Sequence, residues 1–488
     1  MDGFAANFAD GTKIGGGAGC VKESGRMEQA DYIVFTGPDI PGNGPVGWDW
    51  KPSYIQGTQR LVTFNKKGSR EWIPHWEINF IYNGIFHAAN NTPGTVDLRI
   101  TRPTFKFAGS IILVQRKPSY ETLKQYEIFG IKVVANPQSP VEGSDVTLSC
   151  TISRLPDTVS LSWKATGTSQ YNRRKVDFIH LNNTIYLMLS HITVKDEKFH
   201  QCVVQESGNV VGSNKPVFVV GTSLYNKSYT LYRSVTDHSE FDLICYSHEV
   251  YNNASWTWKS YFHQSRRKTI ASALISQPMN VSESHFVNRL MFTKTTFNGW
   301  NLSMRLFPEV FEDAGYYTCT LGQKVFVTIK LITVKVTAEP SDTVTEGDTV
   351  TLNCSVSDAG ASMRLVWING DGETVGEKTL NGEEKSLSLI VQKAGRGRGK
   401  WTCGVFDQKT LQLSVPYNLE VRVRSLPDRW ITTIAGYLFV KLVVGLGLIY
   451  SLTRKNRIMP QGCNRRGQVR GHRRRGMSHQ SYKLTEFR

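Results

Sequence analysis

The sequence lacks the short motifs that mark the common enzyme classes. It contains no His-Glu-x-x-His zinc motif and no Gly-x-Ser-x-Gly nucleophile turn. The glycine-rich run at 395–400 is followed by Trp401, where a phosphate-binding loop needs Ser or Thr. His75 and His200 have no further ligand residues at metal-binding spacing. These absences predict a protein that is not an enzyme and that holds no cofactor or metal ion.

The beginning of the sequence lacks a hydrophobic run. Residues 1–26 contain several glycines but no apolar stretch of signal-peptide length. We therefore expect residues 1–28 to be an unstructured leader or an artefact of the gene model, outside the folded protein. The position of the true N-terminus is left open.

Cysteine is sparse, yet its distribution is ordered. Of eight cysteines, six fall into three sets that each have a tryptophan 13 residues after the first cysteine. The sets are Cys150, Trp163 and Cys202; Cys245, Trp258 and Cys319; and Cys354, Trp367 and Cys403. Cys20 and Cys463 remain single. Paired structural cysteines are typical of proteins that fold in an oxidising compartment.

The residues around these sets have strand and turn character. Before Cys319 the chain reads Asp-Ala-Gly-Tyr-Tyr-Thr, with Tyr317 two residues before the cysteine. The segments that enter Cys150 and Cys354 each begin with Glu-Gly and continue with alternating apolar residues. That pattern predicts a turn followed by a half-buried strand. With these motifs, residues 29–452 resemble the immunoglobulin superfamily, in particular its four-domain leukocyte cell-surface receptors.

The resemblance implies an all-β fold of four tandem immunoglobulin-like β-sandwiches. It also implies the disulfides Cys150–Cys202, Cys245–Cys319 and Cys354–Cys403, which we expect to be buried beside Trp163, Trp258 and Trp367. Tyr317 is expected to make the corner hydrogen bond of its sandwich.

A fourth copy of the pattern has lost its cysteines. When residues 105–113 are aligned with residues 311–319, Phe107 takes the position of the acidic Asp313. Ile111 takes that of Tyr317, and Leu113 takes that of Cys319. Packing of these apolar residues must then offset a disulfide that is typically worth about 2–4 kcal/mol.

The same copy leaves two positions open. Trp50 is followed by Lys51, as in the Trp-Lys steps of the other copies, and we expect Trp50 and Leu113 to share one core. Trp48 is the alternative if that strand is misplaced. The lost first cysteine corresponds to Val34 or Phe35, and the sequence leaves both possible.

One hydrophobic run is long enough to cross a membrane. Residues 430–452 number 23, and twelve are Leu, Ile, Val or Phe. These contribute roughly −4 to −7 kcal/mol to insertion, whereas Lys441 near the midpoint costs about 3 kcal/mol. We therefore predict a single transmembrane helix.

The tail that follows is poor in acid. Residues 453–488 hold eleven Lys or Arg and one acid, Glu486, so the tail supplies +10 of the net charge of +17. By the positive-inside rule, a disordered basic tail of this kind is cytoplasmic. The chain is thus predicted to be a single-pass type I protein of the plasma membrane with an extracellular N-terminus.

These observations predict the domain boundaries and the glycosylation sites. The domains are a V-type sandwich without a disulfide at 29–132, sandwiches at 133–221 and 337–424, a V-type sandwich at 222–336, the helix at 430–452 and the tail at 453–488. N-glycosylation is expected at six sequons: Asn90, Asn182, Asn226, Asn253, Asn280 and Asn301.

The resemblance gives two hypotheses for function. In the first, the chain is an immune-type receptor that binds a protein ligand and signals through an adaptor, whose acidic transmembrane residue pairs with Lys441. In the second, it is a cell-adhesion or decoy protein without signalling of its own. The membrane is a partner in both, and nucleic acid is in neither. Because binding loops vary freely on a sandwich, the sequence leaves the ligand open.

Overall fold

The structure is a computed structural model of the chain. It describes residues 2–8, 32–37, 44–53, 56–67, 71–76, 85–89, 94–101, 105–117, 119–155, 157–165, 177–198, 200–235, 241–262, 266–307, 309–395, 399–422 and 428–455. Two compact units occur, Met1–Val423 and Arg424–Arg488. The first is built from mainly antiparallel strands that form tandem immunoglobulin-like sandwiches, which confirms the all-β fold.

The described residues contain four large hydrophobic cores, and we call the regions around them the first to fourth sandwiches. The strands of the first are β1 (Asp2–Phe8), β2 (Tyr32–Phe35), β3 (Val46–Pro52), β4 (Gln59–Lys67), β5 (Glu71–Trp76), β6 (Phe86–Ala88), β7 (Leu98–Thr101), β8 (Gly109–Gln115) and β9 (Glu121–Asn136). Those of the second are β10 (Val146–Ile152), β11 (Val159–Ala165), β12 (Asp177–Leu181), β13 (Thr184–Leu189), β14 (His200–Glu206) and β15 (Asn209–Asn214).

The third and fourth sandwiches follow the same plan. The third contains β16 (Lys227–Ser234), β17 (Phe241–Leu243), β18 (Asn253–Ser260), β19 (Lys268–Leu274), β20 (Asn280–Val281), β21 (Leu290–Phe292), β22 (Met304–Leu306), β23 (Gly315–Leu321) and β24 (Lys324–Glu339). The fourth contains β25 (Thr343–Thr345), β26 (Val350–Val356), β27 (Met363–Asn369), β28 (Thr374–Thr379), β29 (Ser386–Val391), β30 (Lys400–Asp407), β31 (Thr410–Asn418) and β32 (Glu420–Arg422). The helix α1 spans Asp428–Lys455.

Two long strands each serve two sandwiches. Strand β9 pairs with β8 in the first sandwich and with β10 in the second, and β24 pairs with β23 in the third and β26 in the fourth. The expected boundaries at 132/133 and 336/337 therefore fall inside unbroken strands. Because the ladder hydrogen bonds run through both positions, neither pair of sandwiches is joined by a flexible linker.

The start of the chain contains a strand. Within residues 1–28, which we expect to be an unstructured leader or an artefact of the gene model, strand β1 (Asp2–Phe8) pairs antiparallel with β9, from Asp2 opposite Lys132 to Phe8 opposite Tyr126. The physical reason is that β9 offers a free edge along 126–132, and any extended segment can complete its backbone hydrogen bonds. Residues 9–31 lie outside the described part of the chain.

In two sandwiches, the tryptophan that pairs with the position of the second cysteine is not the one that the sequence spacing predicts. Trp163 lies opposite Cys202 and Trp367 opposite Cys403, as expected. In the third sandwich, however, Trp256 lies opposite Cys319. The segment between Cys245 and this tryptophan is two residues shorter than in the other two, so counting 13 residues reaches Trp258 instead.

In the first sandwich Trp50 and Leu113 lie in one core, as expected, but the strand register is again shifted by two residues. Trp48 lies opposite Leu113, and Trp50 lies opposite Ile111. Both tryptophans are buried, because residues two apart on a strand face the same side. Phe35 is fully buried against Trp48, at 6.1 Å between ring centroids, whereas Val34 is only half-buried, which favours Phe35 as the lost cysteine position.

The second sandwich packs sideways on the fourth. Met188 of β13 joins Val366, Phe406 and other fourth-sandwich residues in a separate apolar cluster, and Tyr186 contacts Phe406 edge-on at 6.1 Å. In both sandwiches these side chains lie on the outer faces of their sheets, since alternate residues fill the main cores. The Arg364 guanidinium lies over the Phe406 ring, 4.9 Å from its centroid.

Truncating either aromatic ring should loosen this contact. We expect a double-mutant cycle of Tyr186→Ala and Phe406→Ala, measured by denaturant unfolding, to give a coupling energy of about 0.5–1.5 kcal/mol, the usual range for an aromatic pair. Tyr186→Ala with Ile390→Ala is the matched control. Ile390 is an exposed residue of the fourth sandwich and is absent from the cluster, so that pair should be additive. Equal coupling in both pairs would disprove a direct contact.

Candidate functional site

The three expected disulfides are present in the structure. Cys150–Cys202, Cys245–Cys319 and Cys354–Cys403 are bridged, with Cα–Cα distances of 6.3, 6.4 and 6.4 Å. These distances are within the range that a disulfide can span. Cys20 and Cys463 lie outside the described residues. The bridges hold the sheets in place, and binding chemistry must therefore come from other side chains.

The third sandwich is organised around a buried carboxylate. Asp313 is fully buried and accepts hydrogen bonds from Arg289 Nη1 at 3.1 Å; it also lies 2.8 Å from His285 Nε2. Arg289 Nη2 forms a second contact with the other carboxylate oxygen. The ring of Trp258 stacks on His285 at 5.5 Å. Asp313 thus carries a charge that is neutralised inside the core.

The backbone of Asp313 also anchors two aromatic side chains. The Tyr317 hydroxyl donates to the Asp313 carbonyl oxygen at 2.6 Å, which is the expected corner hydrogen bond, and Trp258 Nε1 donates to it at 3.1 Å. Burial raises the pKa of Tyr317 above its usual value, and nearby Asp313 adds to the rise. Tyr317 therefore remains a protonated donor.

Apolar residues replace this network in the first sandwich. Phe107 occupies the position of Asp313 and packs against Trp50 at 5.6 Å and Phe86 at 5.6 Å between ring centroids. Trp48 Nε1 donates to the Val96 carbonyl oxygen at 2.5 Å. Residues 29–132 thus contain no cysteine and carry Phe107 at the position of Asp313; their core is aromatic, and their buried ion pair is that of Arg116 with Asp49.

Charged residues also connect the second and third sandwiches. Arg233 forms a bidentate ion pair with Asp145, including Nη2–Oδ1 at 3.2 Å, and Tyr246 donates to Glu142 Oε2 at 2.5 Å. Burial raises the pKa of Glu309 to about 8, although the Arg233 guanidinium opposes the rise. This cluster is not predictable from local sequence patterns, because its members are far apart along the chain.

The sequons occupy different environments. Asn182, Asn226, Asn253 and Asn280 are exposed, which leaves their side chains accessible to solvent. Asn301 is half-buried, and its side-chain oxygen accepts a hydrogen bond from the Ser303 backbone at 2.8 Å. Asn90 lies outside the described residues. Glycosylation of all six remains a prediction.

The described residues contain one helix that is long and apolar enough to span a membrane. The apolar part runs over Thr432–Arg454, 23 residues, close to the expected 430–452. Lys441 lies near its middle, with Nζ 5.3 Å from the centroid of the Tyr437 ring, one turn earlier in the helix. The tail from residue 456 lies outside the described residues.

Comparison with known proteins gives similarity to solved structures alone. No family model matches the chain, and no curated protein sequence matches it. The I9–I11 tandem of titin is 16% identical, covering 60% of this chain and 100% of its own, with a TM-score of 0.16. The extracellular portion of mouse CD200RLa is 11% identical, covering 41% of this chain and 100% of its own, with a TM-score of 0.22.

A third solved structure comprises the eight N-terminal immunoglobulin domains of Down syndrome cell adhesion molecule. It is 14% identical and covers 81% of this chain and 46% of its own, with a TM-score of 0.18. At such low identity and TM-score, none of the three carries an argument about function. The fold rests on the strands, cores and disulfides of this chain.

Proposed function

We propose that the chain is a single-pass type I receptor of the plasma membrane that binds a protein ligand with its sandwiches. Three disulfides support an oxidising, extracellular location for the sandwiches. The apolar stretch Thr432–Arg454 supports one membrane crossing, and the basic residues after it support a cytoplasmic tail.

The proposed sandwiches are 29–132, 133–221, 222–336 and 337–424. Four separate cores support four sandwiches, with Phe129 and Ile131 packed in the second core and Ile332 and Val334 in the fourth, at the ends of the shared strands. Because β9 and β24 run through two of these boundaries, the first and second sandwiches should move as one body, as should the third and fourth. A ligand bound by the first sandwich would therefore exert its force directly on the second.

The observation that supports signalling is the position of Lys441. A lysine at the centre of a bilayer costs about 3 kcal/mol. The Tyr437 ring lies 5.3 Å from Nζ and offers a cation–π contact worth about 0.5–2 kcal/mol, which offsets only part of this cost. A carboxylate on a neighbouring transmembrane helix would neutralise the charge. We therefore infer an adaptor whose transmembrane helix carries Asp or Glu.

Replacing Lys441 with Leu should remove signalling and leave display intact. The substitution favours membrane insertion, so the amount of chain at the cell surface should stay within about twofold of the wild type, whereas adaptor recovery and ligand-induced signalling should fall to background. Lys441→Arg should keep part of both, since the charge remains and the geometry changes. Surface display is measured by flow cytometry, and the adaptor by co-precipitation in mild detergent.

Tyr437→Phe serves as the matched control. It keeps the aromatic ring beside Lys441 and should leave adaptor recovery unchanged. Full signalling by Lys441→Leu would reject the adaptor and favour an adhesion or decoy protein. Loss of surface display in that variant would instead show that the lysine acts in assembly before the chain reaches the surface, contrary to the proposal.

A further inference from the structure

Three apolar side chains are exposed at one end of the third sandwich. Val250, Leu274 and Ile275 are 65%, 59% and 37% exposed. A Cβ atom at Gly299 would lie 2.6 Å from Val250 Cγ1 and 3.0 Å from Ile275 Cδ1, so these two side chains converge over the glycine. We call Val250, Leu274 and Ile275 the loop-end patch. Leu274 directly precedes Ile275 in the chain, and exposed apolar residues that lie side by side often mark a surface that another group covers.

Two sequon asparagines lie on the same sheet face beside this patch. Asn253 of β18 is directly opposite Leu274 of β19, and both are exposed. Directly opposed residues of an antiparallel pair have Cβ atoms about 4.5–5.5 Å apart and point to the same face. Asn280 of β20 is opposite Ser272, which places it diagonally across from Leu274 on that face.

We propose that an N-linked glycan on Asn253 covers the loop-end patch, with the apolar C–H face of its first N-acetylglucosamine against Leu274. In the modification, Asn253 Nδ2 bonds to C1 of the sugar, the lipid diphosphate of the oligosaccharide donor leaves, and the amide proton passes to a base. A glycan on Asn280 flanks the other side. This proposal rests on the extracellular location of the sandwiches proposed above.

The neighbouring positions favour a glycan over a protein as the cover. A stable protein interface buries about 800 Å² on each partner, far more than three side chains provide. A protein that approached Leu274 would also meet sugars on both Asn253 and Asn280. A pyranose ring needs only one or two side chains as its platform, and Asn253 places it there without any cost of association.

We expect that loss of the Asn253 glycan exposes the loop-end patch and lowers surface display, and that a polar residue in place of Leu274 restores display. In the full-length chain expressed in human cells, Asn253→Gln and Ser255→Ala each destroy the sequon. Both should lower surface display, relative to total chain, by about threefold or more through retention and aggregation.

The doubly substituted Asn253→Gln/Leu274→Thr chain should return to at least two thirds of wild-type display. Asn226→Gln, which removes an exposed sequon outside the loop-end patch, is the matched control and should change display little.

Glycopeptide mass spectrometry separates the possible failures. If Asn253 is unmodified while Asn182 and Asn226 carry glycans, the proposal that a glycan covers the loop-end patch is wrong, and the extracellular location of the sandwiches is retained. If none of the described sequons is modified, the location itself is wrong. If Asn253 carries a glycan but Asn253→Gln leaves surface display unchanged, the proposal that this glycan covers the loop-end patch is also wrong. Loss of display that Leu274→Thr fails to correct, or ligand binding that Leu274→Thr abolishes with the glycan intact, overturns it as well.

Discussion

Replacing Asp313 with Ala should lower the free energy of unfolding of the third sandwich by about 3–5 kcal/mol. The carboxylate is fully buried and contacts both Arg289 and His285. Its removal leaves the guanidinium buried beside a cavity, without the negative charge that neutralises it. Because small domains are stable by about 5–15 kcal/mol, a loss of this size is a large fraction of the total. Denaturant unfolding of the chain ending before α1 measures the change.

Glu283→Ala is the matched control in the same sandwich. Glu283 pairs with Lys268 at 2.9 Å, but the lysine side chain is nearly half exposed, so the expected loss is below about 1 kcal/mol. Asp313→Asn should fall between the two, since it retains one acceptor oxygen and loses the charge. Equal costs for Asp313→Ala and Glu283→Ala would show that the buried network contributes little to stability.

Replacing Trp48 with Ala should lower the free energy of unfolding of the first sandwich by about 3–5 kcal/mol. Trp48 is fully buried and donates a hydrogen bond to the Val96 carbonyl. It also packs against Phe35 and Tyr126, at 6.1 and 5.9 Å between ring centroids. This sandwich has no disulfide to restrict its unfolded state, so its aromatic core must supply the stability. Proteolysis of residues 29–132 in the intact chain reports the folded fraction.

Trp50→Ala should cost a similar amount, because Trp50 is equally buried against Phe107. Lys51→Ala is the control, since Lys51 is an exposed neighbour on the same strand and should change stability by less than about 0.5 kcal/mol. If Trp48→Ala leaves the first sandwich resistant to protease, the assignment of Trp48 to the central core position is wrong.

Local sequence patterns predicted much of the fold. Cysteine and tryptophan spacing indicated the sandwiches, because inward residues alternate along a strand and the bridge needs one fixed pair of positions. The 13-residue spacing wrongly predicted Trp258 instead of Trp256 opposite Cys319. A fixed spacing takes no account of variation in the length of the loop before β18. Strand register decides such positions, and register depends on contacts between distant strands.

The sequence of β27 contains a signal for the packing of the second sandwich on the fourth. Residues 365–368 read Leu-Val-Trp-Ile, which is apolar on both faces of β27, whereas a half-exposed strand should alternate. Val366 and Ile368 indeed pack outward into the contact with Met188. The partner face could not be inferred, because nothing in the local sequence of β13 specifies which sandwich it meets. The Arg233–Asp145 pair is hidden from sequence for the same reason.

The receptor account is tested most directly by what lies beside Lys441 within the membrane. A photoreactive amino acid at Val444 lies close to the lysine face of α1, and one at Val443 lies on the opposite face, since successive residues turn by about 100°. In cells that express the chain naturally, we expect a crosslink from position 444 to a transmembrane helix that contains Asp or Glu. That crosslink should be absent from position 443 and lost in Lys441→Leu. Crosslinks to lipid alone, equal at both positions, would contradict the receptor account.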